Sequence, residues 1–386
     1  MVKVQCKIFS WCRYILQKVW IAYSVVKLIF LSLFYNEFAD KYYIGDACME
    51  PIFWLVDHFT KIIGPVCVIA VILLATSIIV VAYAVGLPFY LKQNVFILLF
   101  ALFIGHWLLL NIMFYYYMAC ITDPGYPPQG TMITDAVSIC KRCIAPKPPR
   151  THHCIVCNRC ILKMDHHCPW LNNCIGHFNH RYFFMFCVYT WIGVLFCIIF
   201  GIPIFRSHFW YNSEYSFSPH LINVIKTVAD QISRQPRTLQ ETFEYNFRTN
   251  STSLDDKWVS TLYHSCVVYA ALLCFSVFCI LGGLLAWHAR LITNGETSIE
   301  SHINKRERKN HIKEGKIYEN PFDFGAINNW KIFLRIDYLG SWWHVLLPYT
   351  VAPAGNGIQW KLSNSEQPVF NYLDNDNKEA CFIKMA

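Results

Sequence analysis

Long apolar runs alternate with polar segments along the chain, and their lengths predict its architecture. Four runs exceed twenty residues and are nearly free of charge: Ile62–Val85, Val95–Met118, Tyr182–Phe205 and Leu262–Trp287. A helix of about 20 mostly apolar residues crosses the roughly 30 Å hydrocarbon core of a bilayer. The pattern therefore predicts a mainly α-helical membrane protein with four transmembrane helices.

A fifth apolar stretch, Ile21–Tyr35, is shorter than these runs and contains Lys27. Both properties are typical of a helix or hydrophobic patch that lies in the membrane interface. We expect residues 1–61 to form a cytosolic N-terminal segment that carries this interfacial element.

Composition and charge agree with a membrane protein and predict its orientation. Hydrophobic residues make up 55% of the chain and charged residues 15%, whereas soluble domains are about a quarter charged. In the segment 120–181, seven Lys or Arg face three Asp, and the N-terminal segment and the tail after Trp287 are also basic. Because an excess of Lys and Arg marks cytosolic segments, both termini are predicted to be cytosolic. Anionic headgroups of the lipid bilayer or an anionic cofactor would account for the net charge of +8, so we expect the bilayer as a partner and no nucleic acid.

The segment between the third and fourth runs differs from these basic segments. Six basic residues balance six acidic ones from Arg206 to Tyr263, no cysteine is present, and Asn250-Ser251-Thr252 is a glycosylation sequon. We predict a luminal loop at about 206–261.

Two further expectations concern other parts of the chain. The polar end of the chain from Leu362 is expected to be disordered. Within the second run, His106 and Asn111 are expected to form interhelical hydrogen bonds.

A cysteine-rich stretch from Cys140 to Cys174 separates the second and third runs. It holds seven cysteines, four histidines and one Asp, with three CxxC steps. Such spacing suits tetrahedral zinc, because a turn over two residues presents both sulfurs to one ion. Eleven potential ligands exceed the eight that two zinc sites need.

No internal repeat is recognised in the chain. The predicted segments are 1–61, 62–118, a cytosolic zinc-binding domain at 119–181, 182–287 and a cytosolic tail at 288–386.

Cys168 has two interpretations on local pattern alone. It lies three residues after Asp165 and two after His166. An imidazole that accepts the thiol proton and a carboxylate that orients the imidazole would make Cys168 a nucleophile. Alternatively, Cys168 is one more zinc ligand. The spacing leaves both possibilities open.

The run HC-x2-C-x2-C-x4-DHHC-x5-C, with Asp123-Pro124-Gly125 after the second span, resembles the DHHC-type protein S-acyltransferases, or palmitoyltransferases. The resemblance implies that Cys168 is the nucleophile, His166 its base and Asp165 the residue that orients His166. It implies transfer of a long acyl chain from an acyl-CoA such as palmitoyl-CoA to Cys168, and then to a cysteine of a membrane-proximal substrate protein. It also implies two structural zinc ions, one bound by Cys140, Cys143, His153 and Cys160, the other by Cys154, Cys157, His167 and Cys174.

The resemblance extends to the CoA group and to the tail. Lys147, Arg150 and His152 occupy positions that the family uses for the CoA phosphates, and Arg181 is a further candidate. The family's TTxE motif reads Thr297-Ser298-Ile299-Glu300 here. Asn320 begins a segment similar to the family's C-terminal aromatic motif, in which it would anchor the tail. The tail resembles the Abl-philin-type branch, which implies the endoplasmic reticulum or Golgi.

Two other classes of function compete with acyl transfer. A membrane-anchored zinc adaptor would use every cysteine of the stretch structurally, and it gives no reason for the Asp-His-His-Cys run. A metal transporter would need paired polar residues at membrane depth. The four runs contain two histidines, His106 and His264, in different runs, and no carboxylate, so this alternative is disfavoured.

Overall fold

The computed structural model describes residues 17–31, 41–128, 136–210 and 252–363. It divides into two compact units, Met1–Ile62 and Ile63–Ala386. In the first unit, residues 17–31 form a helix with exposed apolar side chains, among them Trp20 and Phe30. An interfacial position for this helix stays a prediction. The sequon at Asn250 and the segment 364–386, expected to be disordered, lie outside the described residues.

Four helices are long and apolar enough to cross a membrane, which confirms the predicted fold class. We call them spans 1 to 4: Ile62–Gln93, Val95–Ile121, His180–Trp210 and Trp258–Thr293. Span 1 begins within a helix at Lys41–Val81, passes through a π-helical turn at Ala82–Gly86 and ends with a helix at Leu87–Gln93. Span 4 is part of the helix Thr252–Thr293.

Local sequence explains where span 1 gives way to span 2. Pro88 cannot donate a backbone hydrogen bond, and it follows the π-helical turn that widens the helix. Asn94 then leaves the helical conformation, and its side-chain oxygen accepts hydrogen bonds from the Phe96 and Ile97 amides. These amides are two of the donors that a helix start leaves unpaired, so Asn94 caps span 2.

Span 3 packs against both span 2 and span 4. Tyr115 of span 2 is fully buried and stacks on Tyr189 of span 3, with ring centroids 5.5 Å apart. The Tyr83 hydroxyl lies 2.8 Å from His106 Nε2, so His106 joins spans 1 and 2 as expected. The expectation for Asn111 is wrong, because its amide donates to the Trp107 carbonyl of its own helix.

The cysteine-rich domain consists of three short antiparallel hairpins. Strands β1 (Ser138–Cys140) and β2 (Ala145–Lys147) form the first, β3 (His152–Cys154) and β4 (Arg159–Ile161) the second, and β5 (His166–Cys168) and β6 (Asn173–Ile175) the third. A one-turn 3₁₀-helix, Pro169–Leu171, connects β5 to β6. Each hairpin begins 14 residues after the previous one. The expectation that the chain has no internal repeat is therefore wrong.

The Asp-Pro-Gly loop joins span 2 to this domain. The Asp123 side chain accepts the Gly125 amide hydrogen bond, and the Gly125 carbonyl accepts one from the Leu162 amide. Gly125 has a φ of +98°, and a Cβ there would lie 2.8 Å from the Phe178 ring. Only glycine tolerates both the conformation and the close approach.

The tail folds back onto the end of span 4 and onto the domain. Its helices are Ser298–Lys313, Ala326–Leu334, Ile336–Leu339 and Trp343–Leu346. The Asn320 amide donates to the Asn294 carbonyl just beyond span 4, and the Asn329 amide donates to the Thr293 carbonyl at its end. The anchoring expected of Asn320 is thus present.

The turn of the first hairpin contains a strained residue whose replacement tests the repeat. Ile144, Asn158 and Asn172 occupy equivalent positions with φ values of 51°, 53° and 50°. A β-branched residue is unfavourable there, whereas asparagine is tolerated. Ile144 is 87% exposed, so its side chain contributes little burial. We expect Ile144→Asn to raise the free energy of unfolding by about 1 kcal/mol, measured by thermal unfolding in detergent. The control is Ile155→Asn at an exposed position without positive φ, and equal effects of the two changes would contradict the explanation.

Candidate active site

Two sets of three thiols and one imidazole come together in the cysteine-rich domain. The first set joins Cys140 and Cys143 of the first hairpin to His153 and Cys160, which face each other across the second hairpin. The second set repeats this arrangement one hairpin later, with Cys154, Cys157, His167 and Cys174. In each set the four ligand atoms lie within 4.8 Å of one another. These are the two groupings that the family resemblance implies.

Distances within the sets fit a tetrahedral zinc ion. Zinc–sulfur bonds near 2.3 Å and zinc–nitrogen bonds near 2.0 Å separate tetrahedral ligand atoms by about 3.5–3.8 Å. In the first set, His153 Nδ1 lies 3.2 Å from Cys143 Sγ and 3.6 Å from Cys140 Sγ, and the Cys143 and Cys160 sulfurs are 3.8 Å apart. In the second set, Cys157 Sγ lies 3.4 Å from Cys174 Sγ and from His167 Nδ1. Both sets can therefore hold zinc.

The turns of the first two hairpins also favour thiolate ligands. The Cys143 amide donates to Cys140 Sγ and the Cys157 amide donates to Cys154 Sγ, each at 3.4 Å. Burial disfavours a thiolate at Cys140, but the amide donors of Cys143 and Arg142 outweigh it and lower the pKa of Cys140 to about 7. Because metals bind the deprotonated sulfur, these turns are suited to a metal.

Cys168 lies outside both sets, although it occupies the position of Cys140 and Cys154 in the 14-residue repeat. The next ligand position of the repeat, Cys143 and Cys157 in the earlier hairpins, is Leu171 in the third. The surplus of potential ligands therefore has a structural origin, because the third hairpin retains one cysteine of the pair. The 14-residue repeat is visible in the sequence, but a single CxxC step does not reveal it.

Strand alternation separates the ligand face of β5 from its other face. Successive side chains of a strand point to opposite sides. His167 belongs to the second ligand set, so His166 and Cys168 project from the opposite face of β5. Cys168 is 6% exposed and packs in one apolar cluster with Leu171 and with Tyr182 and Phe183 of the first turn of span 3. The thiol therefore lies where the domain meets the membrane helices.

A buried carboxylate holds His166. His166 Nδ1 lies 2.6 Å from Asp165 Oδ2, and Asp165 is 1% exposed. Burial opposes ionisation of Asp165, but the hydrogen bond to His166 and nearby histidines outweigh it and keep the pKa of Asp165 below its usual range. Burial likewise opposes a charged His166, yet its hydrogen bonds to Asp165 and Cys168 raise the pKa of His166 to about 9. Asp165, His166 and Cys168 thus form one connected group.

Two further residues reach Asp165 and His166 from the C-terminal half of the chain. The Ser298 amide donates to Asp165 Oδ1 at 2.7 Å, and the Ser298 hydroxyl donates to Oδ2 at 3.0 Å. A ring nitrogen of His288, in span 4, lies within 4.8 Å of ligand atoms of Asp165 and His166. The TTxE resemblance pointed to Ser298 without its partner. Nothing in the local sequence pointed to His288.

The four residues expected to contact CoA have different surroundings. Lys147 and His152 are half-buried on β2 and β3. Burial, and to a smaller extent Lys147, lowers the pKa of His152. Arg181 is 8% exposed, and its Nη1 donates to the Tyr349 carbonyl of the tail.

Arg150 is engaged with Glu300 of the TTxE-like motif. Both Nε and Nη2 of Arg150 lie 2.6 Å from Glu300 carboxylate oxygens, and Nη2 also donates to the Gly295 carbonyl. The guanidinium lies over the rings of Phe322 and Trp360. Burial opposes ionisation of Glu300, but Arg150 outweighs it and lowers the pKa of Glu300. The pair ties the domain to the tail.

Comparisons with known proteins agree with this site. Residues 133–305 match the family described as DHHC palmitoyltransferase. The chain is 44% identical to palmitoyltransferase ZDHHC16 of Homo sapiens over 337 residues, 87% of this chain and 85% of the relative. It is 43% identical to palmitoyltransferase ZDHHC16B of Danio rerio, over 86% of each chain. A probable protein S-acyltransferase 16 of Arabidopsis thaliana is 29% identical over 68% of this chain and 80% of the relative.

A buried Asp-His-Cys group beside four membrane helices, together with two zinc-suited ligand sets, defines a membrane-bound thiol acyltransferase. The chain belongs to the DHHC palmitoyltransferase family. It is a protein S-palmitoyltransferase, an enzyme whose substrates are an acyl-CoA and proteins, and its resemblance to the Abl-philin-type branch is confirmed by the similarity to ZDHHC16.

Breaking the Arg150–Glu300 pair should destabilise the enzyme. The two side chains are 6% and 10% exposed, so Arg150→Met would leave a buried carboxylate without its cation. We expect a loss of about 3–5 kcal/mol in the free energy of unfolding. Thermal unfolding measures this loss, and limited proteolysis of the tail should become faster. Lys316→Met breaks the exposed Lys316–Glu314 pair and is the control, with an expected effect of less than about 1 kcal/mol. Similar effects of both changes would show that burial of the pair is unimportant.

Proposed function

We propose that Cys168 carries the acyl group as a thioester between two transfer steps. The observation that carries the proposal is the position of Cys168 outside both ligand sets, on the same face of β5 as His166. The hydrogen bond between His166 Nδ1 and Asp165 leaves the other ring nitrogen for Cys168. This is the arrangement of a thiol nucleophile, its base and an orienting carboxylate.

The two steps balance as follows. The Cys168 sulfur attacks the carbonyl carbon of the acyl-CoA, and the carbon–sulfur bond to CoA breaks as the new one forms. The Cys168 proton passes to His166 and then to the CoA sulfur. In the second step a cysteine sulfur of the substrate protein attacks the same carbon. Its proton passes through His166 to Cys168, whose bond to the acyl group breaks.

The two ligand sets are proposed to bind one structural zinc ion each. The support is their shared composition of three thiols and one imidazole and the tetrahedral spacing of their ligand atoms. Zinc bound there would link successive hairpins that have few aliphatic side chains to bury. It would supply folding free energy that burial cannot.

The acyl chain and its CoA group are proposed to occupy different surroundings. Cys168 packs against the first turn of span 3, so an acyl chain attached to it can lie among the spans. Burial of such a chain is favourable by about 0.8 kcal/mol for each CH₂. Lys147 on β2 and His152 on β3 are both half-buried, and we propose that they donate hydrogen bonds to the CoA phosphates. Arg150 and Arg181 are buried in contacts with the tail region and are less suited to this role.

The cellular setting completes the proposal. The excess of Lys and Arg supports a cytosolic position for both termini and for the cysteine-rich domain. Substrate cysteines would then have to lie near the cytosolic membrane surface to reach Cys168. The similarity to the Abl-philin-type branch supports the endoplasmic reticulum or Golgi as the location.

Thioester formation tests the nucleophile. Purified protein in detergent is incubated with labelled palmitoyl-CoA, and hydroxylamine-labile label on the chain is measured together with zinc content. We expect Cys168→Ser and Cys168→Ala to lose the label at least 100-fold and to retain about two zinc ions per chain. Cys187→Ala, at a buried cysteine of span 3, is the matched control and should keep the label. Loss of a zinc ion together with the label would assign Cys168 a structural role and favour the adaptor function.

Removal of one metal ligand tests the ligand sets. Cys157→Ser should reduce zinc content from about two ions to about one per chain, because a hydroxyl is a poor substitute for a thiolate. Thermal stability should fall, since this ligand joins the second hairpin to the third. Cys279→Ser, at an exposed cysteine of span 4, should change neither zinc content nor stability. Retention of two zinc ions in Cys157→Ser would contradict the assignment.

A further inference from the structure

A cavity of about 150 Å³ lies between the start of span 3 and the tail. His177, His180 and Arg181 line one side, and Phe333 and the strap, which we define as residues 349–361, line the other. A water molecule needs only about 10–15 Å³ of such space, so the cavity has room for a larger guest. Lys147 and His152, the proposed contacts of CoA, are not among its lining residues, whereas Arg150 and Arg181, the two candidates less suited to CoA, are.

The wall formed by His177 and the first turn of span 3 carries buried polar atoms without partners. Within the described part of the chain, both ring nitrogens of His180, Nδ1 of His177, and Nε and Nη2 of Arg181 have no hydrogen-bond partner. These residues are 3%, 5% and 8% exposed. Buried polar groups are nearly always paired, and an unpaired one costs about 1–3 kcal/mol. Arg181 Nε and Nη2 are donors, and a neutral His180 ring supplies one more, whereas His177 Nδ1 is an acceptor because Nε2 donates to the Gly355 carbonyl. The unpaired donors of Arg181 and His180 therefore point to a ligand that accepts hydrogen bonds.

Positive charge around the cavity is only partly balanced. Arg150 is paired with Glu300, but Lys163 forms no ion pair among the described residues and lies 5.6 Å from the centre of the Trp360 ring. Glu296 is the carboxylate among the lining residues, and it accepts a hydrogen bond from Asn304. The N-terminus of span 3, at His180, adds the positive end of a long helix.

The lowered pKa values of two lining residues agree with this excess of positive charge. Burial, together with Arg150, lowers the pKa of Lys163 to about 8. Burial, together with Lys163, lowers the pKa of His177 to about 3. Both groups are thus shifted towards their neutral forms, and an anion in the cavity would relieve the cost of charge there.

We propose that this cavity binds a phosphate group, held by Arg181 and His180 with Lys163 supplying further charge. Arginine suits phosphate because its planar guanidinium donates two parallel hydrogen bonds. The strap already contacts the same wall, since the Tyr349 carbonyl accepts from Arg181 and the Gly355 carbonyl accepts from His177. A bound phosphate group would therefore fasten the strap to the cysteine-rich domain. Inorganic phosphate and the phosphorylated headgroup of an inositol lipid share this chemistry.

Direct binding to the full chain in detergent tests the proposal. Equilibrium dialysis at constant ionic strength measures radiolabelled inorganic phosphate, and parallel samples contain unlabelled inositol 1,4-bisphosphate or CoA as competitor. We expect one saturable phosphate per chain. Arg181→Gln and Lys163→Met should weaken it at least tenfold, and Lys305→Met on the exposed tail helix should leave it unchanged. Lys163 is partly exposed, so its variant remains informative if Arg181→Gln fails to fold.

The competitors identify the source of the phosphate group and provide further ways to overturn the site. Displacement by inositol bisphosphate at tenfold lower concentration than by inorganic phosphate would assign the site to a lipid headgroup, and equal potency would assign it to free phosphate. Absence of saturable phosphate binding to folded protein would overturn the proposal. So would unchanged binding in both variants. If CoA competes with phosphate and this competition disappears in Lys147→Met, the bound phosphate lies in the site of the acyl donor. That result would also overturn the proposal of a separate phosphate site.

Discussion

The register of three short hairpins is the constraint on which the proposed catalytic site depends. His153 faces Cys160, and His167 faces Cys174, so each cross-strand pair supplies two ligands to one set. A slip of one residue in β5 would turn His167 away from the second ligand set and place it on the face that now carries His166 and Cys168. The ligand sets and the Cys168 site therefore require the same register. Any metal that holds the sets together also holds Cys168 and His166 on the face that meets the spans.

The motif after span 4 connects this domain to the membrane helices through two buried carboxylates. Ser298 donates twice to Asp165, while Glu300 accepts from Arg150 and from the Thr297 amide. Both carboxylates are thus satisfied by several donors, which is what makes a buried charge tolerable. Since Asp165 in turn positions His166, the geometry of the reactive group depends on a residue 133 positions away in sequence.

How far the sequence could predict this structure depends on the range of the interaction. The four spans and the two ligand groupings follow from patterns within a few tens of residues or from family spacing, and the structure contains them. The Arg150–Glu300 pair and the approach of His288 to Asp165 join segments more than a hundred residues apart. A local pattern carries no information about such contacts. The assignment of Arg150 to CoA came from the family resemblance, and it stays a prediction. The 14-residue repeat is different, because it was readable from the sequence once the two ligand sets were compared position by position.

The repeat explains how one thiol stays outside the ligand sets of a domain suited to metal ligation. Cys168 occupies the place of a first ligand in the third hairpin, but Leu171 replaces the second ligand, and the described part of the chain has no fourth hairpin to supply a cross-strand pair. Without a metal to balance its charge, a thiolate at this position needs another cation. His166 lies on the same strand face. Asp165 is hydrogen-bonded to the His166 ring, and the Ser298 hydroxyl donates to Asp165 in turn. One substitution in a repeated unit and one hydrogen-bonded histidine thus distinguish Cys168, the proposed nucleophile, from the cysteines of the two ligand sets.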